Sequence, residues 1–126
     1  MFPKYFAIGA INAALAIALG AFGAHGLENS ISEHYLQVFE TGVRYHMYSA
    51  LGLMLISLFT KHTDVTKLVQ NGGRLILAGT VLFSGSLYGI ALSSVSELGI
   101  ITPFGGVAIL AGWTCVILAA FKKSTI

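Results

Sequence analysis

His25, His34, His46 and His62 are the side chains best suited to proton transfer or metal ligation, and the carboxylates are Glu28, Glu33, Glu40, Asp64 and Glu97. His25 and Glu28 stand three residues apart, and Glu40, Arg44 and His46 follow in the next segment. Gathered in space, these five could relay protons, hold a small ion or hydrogen-bond among themselves. A metal site wants converging ligands, such as a helical H-x-x-x-H or E-x-x-H pair, and neither spacing occurs. His62 lies in a basic stretch with Lys61 and Lys67 and reads as solvated. There is no G-x-S-x-G, no H-E-x-x-H, no phosphate loop and no pair of carboxylates in an apolar setting. Cys115 is the single cysteine. It excludes an intrachain disulfide and any multi-cysteine metal site, and its apolar surroundings make it a small core hydrophobe. The residues therefore predict neither an enzyme nor a cofactor. The candidate functional group is the polar cluster His25, Glu28, Glu40, Arg44 and His46.

The elements that would position this cluster follow from composition. Of 126 residues, 56% are hydrophobic and 10% charged, with a mean hydropathy of +0.82. A soluble domain is about 25% charged. So few charges cannot cover a soluble surface, and a disordered chain would need low hydrophobicity. The composition predicts an all-α integral membrane protein occupying the chain as one domain, 1–126. A net charge of +2 and the lack of basic runs interleaved with aromatics exclude nucleic acid as a partner. Charges bound four apolar runs: 5–24, 45–60, 75–96 and 98–121. A spanning helix needs about 20 residues. Three runs meet this, and the second is long enough if Arg44 snorkels to the interface. Continuous rather than alternating apolarity selects helices over a barrel. The first run is too long for the apolar part of a cleaved signal peptide.

Four spans place Lys4, Lys61, Lys67, Arg74, Lys122 and Lys123 on one side and Arg44 with four glutamates on the other. The positive-inside rule then places both termini in the cytoplasm. Between the first two spans, Ser30 and Glu33 have capping-box spacing, and Ile31, Tyr35, Val38 and Phe39 share a helical face. This predicts a short amphipathic helix in the outer interface; the other reading is an extension of the second span. Thr102 and Pro103 fit an N-cap and first position of the fourth helix.

Small residues recur within the spans: Ala10, Ala14 and Ala18, and Gly85, Gly89 and Ser93. In lipid such rows let helix backbones approach closely. Asn12, Gly20, Gly23, Ser84, Gly85, Ser86, Gly89, Gly105, Gly106 and Gly112 are the candidate packing positions. Asn12 should face protein, because an amide cannot readily satisfy itself within its own helix. The rows serve internal packing, or contact with a second copy or a larger membrane protein.

The stretch Gly20-Ala21-Phe22-Gly23-Ala24-His25-Gly26 resembles the hallmark of the YgdD/YwdK-like family of small bacterial membrane proteins. Thr41-Gly42 with Tyr45, the run Gly79-Thr80-Val81-Leu82-Phe83-Ser84-Gly85-Ser86-Leu87-Tyr88, Thr102-Pro103 with Gly105-Gly106, and Ala111-Gly112-Trp113 are similar to further segments of it. The motifs touch all four predicted spans in order. The pattern departs at His46 and Ser49, where relatives carry Gln and His. The resemblance implies a four-span protein of the bacterial inner (cytoplasmic) membrane and no particular activity. The expected function is a structural or interaction role in the bilayer through helix packing. The alternative is a small-solute or ion transporter or channel that uses the outer polar cluster.

Overall fold

The computed structural model describes residues 3–62 and 66–124, and among them there is no strand. The side chains of His62 and Lys123, and Asp64 entirely, lie outside the described part. Four long helices follow in order: α1 (Lys4–His25), α2 (Glu33–Phe59), α3 (Thr66–Ser93) and α4 (Ile101–Ser124). Three of these stretches, Lys4–His25, Thr66–Ser93 and Ser96–Lys122, are long and apolar enough to cross a membrane.

The helix ends have local causes. Pro3 precedes α1, where a missing N–H costs nothing, and its carbonyl accepts from Ala7 N at 3.0 Å. Gly26 ends α1, its N–H donating to the Phe22 carbonyl. α2 starts at Ser32, whose extended backbone and side-chain oxygen cap the Tyr35 N–H at 3.3 Å. Ser30 does not cap; its hydroxyl donates to the Gly26 carbonyl. The segment expected as a separate interfacial helix is thus joined to the second helix as its first turns. α3 stops at Ser93, and Ser94 turns the chain in the left-handed region at φ 61°. A short 3₁₀ turn, Ser96–Ile100, leads into α4. Pro103 falls in the first turn of α4, where N–H groups have no intrahelical partner. The helix begins ahead of Thr102, whose hydroxyl is freed from capping and pairs with Ser86 on α3.

Extensive interfaces form between consecutive helices, α1 with α2, α2 with α3, and α3 with α4. The α3–α4 contact is a glycine zipper. A Cβ on Gly79 would lie 2.7 Å from the Gly105 carbonyl, and one on Gly105 would lie 2.7 Å from the Gly79 carbonyl. Gly72 and Gly112 form a second reciprocal pair at 2.8 and 2.6 Å. Seven residues separate the pairs on each helix, so one face of α3 meets one face of α4.

Two apolar clusters lie toward opposite ends of the helices. Ile56, Val69, Ile76 and Ala119 form one, with Trp113 against them. Leu27, Phe39 and Ala91 form the other, with Leu19, Val43 and Tyr88 packed around them. Phe39 fills the space over Gly23, where a Cβ would come within 2.9 Å of its ring. Between the clusters lies a polar layer.

Candidate functional site

His46 stands at the midpoint of α2 and is only 7% exposed. α1 supplies Asn12 and α3 supplies Tyr88. The His46 Nε2 lies 2.9 Å from Asn12 Oδ1, and its Nδ1 lies 3.0 Å from the Tyr88 hydroxyl. Asn12 Nδ2 donates to the Ile8 carbonyl of its own helix at 2.9 Å, which turns the amide oxygen toward the imidazole. An amide oxygen can only accept, so Nε2 carries the hydrogen. The neutral ring then accepts at Nδ1 from the Tyr88 O–H. The result is a directed chain, Tyr88 to His46 to Asn12 to the α1 backbone, linking three helices.

The neighbouring hydroxyls are committed in the same manner. Ser84 donates across to the Gly42 carbonyl of α2 at 2.8 Å, and Thr80 donates to the Ile76 carbonyl at 2.6 Å. Among the described residues no buried side-chain nitrogen or oxygen lacks a partner. Satisfied networks rigidify a core, whereas unpaired members are costly. Ser84 and Thr80 give their hydroxyl protons to backbone carbonyls and Tyr88 gives its own to the His46 imidazole, so the layer is a hydrogen-bond network between helices.

A groove opens beside the chain, lined by Asn12, His46, Thr80, Val81, Ser84, Gly85 and Tyr88, with an empty volume of about 420 Å³ including its mouth. It exists because α1 and α3 both pack on α2 without an extensive contact with each other. Gly85, expected at a helix contact, has nothing within 4 Å of where its Cβ would stand and leaves the wall open.

Of the five residues expected to cluster, only His46 is buried; His25, Glu28, Glu40 and Arg44 are exposed. Both ring nitrogens of His46 are taken by Asn12 and Tyr88, so the five do not join in one hydrogen-bonded set through it. α2 begins as far upstream as Glu33, so His46 falls halfway along the helix. The packing candidates divide by surroundings. Gly20 faces Val43, Gly23 faces Phe39, and Gly89 faces Leu98. Ser84 and Ser86 tie α3 to α2 and α4 through the bonds above, while Gly106 has only ordinary contact with the Phe83 ring. Gly9, Gly42, Gly52, Gly72 and Gly79 are close-contact positions outside that set. A Cβ on Gly9 would lie 2.8 Å from the Ala50 carbonyl, and one on Gly52 would lie 2.6 Å from the Trp113 ring. Tyr88 stands in the sequence only as the last residue of the run from Gly79 and is not among the candidate site residues. Its partner lies 42 residues away, and no local spacing reports that.

Long apolar helices around a satisfied polar layer are the build of a helical membrane protein. The chain belongs to the family described as "Protein of unknown function (DUF423)", whose model matches residues 19–106. It is 51% identical over 118 residues to UPF0382 membrane protein YwdK of Bacillus subtilis, covering 94% of this chain and 96% of that relative. It is 46% identical over 118 residues to UPF0382 membrane protein SAB0533 of Staphylococcus aureus, covering 94% and 95%. A UPF0382 membrane protein of Staphylococcus epidermidis is 44% identical over the same length, covering 94% and 95%. No solved structure is a significant match.

Proposed function

We propose that the chain crosses the bacterial cytoplasmic membrane four times with both termini inside, and acts there as an interaction component rather than an enzyme. The observation that carries the topology is the position of α2. It packs against α1 and α3 and buries one face, including Phe39, His46, Leu53 and Ser57, while Tyr48, Leu51 and Leu55 on the other are exposed apolar surface. Its 27 residues extend about 40 Å at about 1.5 Å each, beyond the roughly 30 Å of a hydrocarbon core. A helix packed between two spanning neighbours spans with them, and its glutamates and Arg44 lie in the half leading from the outer end. The distribution of lysine and arginine agrees with this orientation.

The interaction role rests on what the helices leave uncovered. α1 exposes Ile11, Leu15 and Ile17, and α4 exposes Phe104, Val107, Leu110 and Phe121. Lipid or another protein covers such faces. Crosslinking in native membranes followed by native mass spectrometry in mild detergent tests the role. A homo-oligomer or a defined membrane partner is expected; a strictly monomeric, partnerless protein contradicts it. Transport of a small solute is the second reading, supported by the polar groove beside His46. Flux into liposomes containing the purified chain would establish it, and no flux across broad solute and ion panels would dismiss it.

A further inference from the structure

We propose that the groove between α1 and α3 binds the hydroxyl group of a membrane-soluble alcohol, entering sideways from the bilayer. The inference rests on the membrane-spanning reading and adds an occupant to it. The hydrogen-bond inventory selects the chemistry. The hydroxyl protons of Tyr88, Ser84 and Thr80 are already given to His46 Nδ1 and to the carbonyls of Gly42 and Ile76. Their oxygens keep unused lone pairs, as does Asn12 Oδ1, and the remaining donor is the second N–H of Asn12. The groove is rich in acceptors and asks for a group that donates.

A neutral donor fits better than a cation. No carboxylate is among the residues lining the groove, and a positive charge brought to mid-helix depth would have no counter-charge. The mouth selects the source. The α3 wall is built from the middle of the helix, where Val81 is 67% exposed and Gly85 is open. The opening therefore faces the flank of the helices, where acyl chains would lie, rather than their ends. A hydroxyl carried on an apolar body can lie with its body in lipid and its head against Tyr88, Ser84 and Thr80.

The test uses the purified full-length chain in phosphatidylcholine nanodiscs with two photoactivatable diacylglycerols. One has its free hydroxyl; the other is the same molecule acetylated there. After irradiation, labelled residues are mapped by mass spectrometry. The free hydroxyl probe should label residues 80–88 at least ten-fold more than the acetylated one. G85L, which fills the open wall, should reduce that labelling at least ten-fold, while V107L on the outer face of α4 should not. A Cβ at position 85 meets nothing within 4 Å, and an unchanged melting curve and gel-filtration profile verify the fold of G85L. Unlabelled diacylglycerol should compete, and free glycerol in the buffer should not. Equal labelling by the two probes, labelling that survives G85L in a folded protein, or displacement by glycerol overturns the proposal. Failure of the membrane-spanning reading would appear separately, as wrong loop exposure in intact cells.

Discussion

His46 holds two helices to a third through its two ring nitrogens, so its loss should be felt twice. His46→Ala leaves the Asn12 amide oxygen and the Tyr88 hydroxyl without their partner. Each buried orphan costs about 1–3 kcal/mol, and the variant should lose on the order of 2–4 kcal/mol. Unfolding in detergent, followed by the fluorescence of Trp113, measures this. Tyr88→Phe alone should cost about 1–2 kcal/mol, because it removes one bond. The two changes together should cost less than their sum, since they break the same contact. Strict additivity would mean the chain of bonds is not formed. This site was half legible in the sequence. Asn12 is an isolated amide in an apolar run and had to face protein. His46 seemed peripheral because Arg44 marks the charge boundary. Its central place follows from a helix start at Ser32, well before that boundary, and its partners come from helices that local spacing does not connect.

At the scale of elements, the zipper between α3 and α4 makes a sharp demand. Gly105→Leu would drive its side chain into the α3 backbone around Gly79 and Phe83. Backbone cannot yield as a flexible side chain can, and the variant should cost at least about 3 kcal/mol or fail to accumulate. Gly106→Leu one position away meets only the edge of Phe83 and should be tolerated. Cellular protein level and melting temperature together separate the two. The end of α3 offers a change of the opposite sign. Ser94 bears a side chain at φ 61°, a conformation that costs a residue with Cβ about 1 kcal/mol. Ser94→Gly should stabilise by about 0.5–1 kcal/mol, and Ser94→Val should destabilise, both read from the same melts. Small residues in the spans were visible as packing signals. Which of two adjacent glycines meets backbone depends on helix rotation, and neither composition nor spacing of a nearly all-apolar helix fixes that. α4 has no polar stripe to orient it, so Gly105 and Gly106 looked alike. The junction of α2 was also blurred, because its first turns are amphipathic and its later ones apolar, yet no residue between them breaks a helix.

At the scale of the whole molecule, four helices pack in chain order, and the polar layer lies where α1, α2 and α3 come together. Charge scarcity was legible at once, and it led to a helical membrane protein. Less legible was the status of α2, whose Glu33, Glu40 and Arg44 dilute its hydropathy although the helix packs between two apolar neighbours. We infer that α2 crosses the membrane with its neighbours. Single cysteines at Asn29, Thr66 and Glu97, in a Cys115→Ala background, place the three connections directly. Intact cells are treated with a membrane-impermeant maleimide, before and after permeabilisation. Labelling is expected at positions 29 and 97 from outside, and at 66 only after permeabilisation. Labelling of positions 29 and 66 from the same side would show that α2 does not cross, and would overturn the four-span topology.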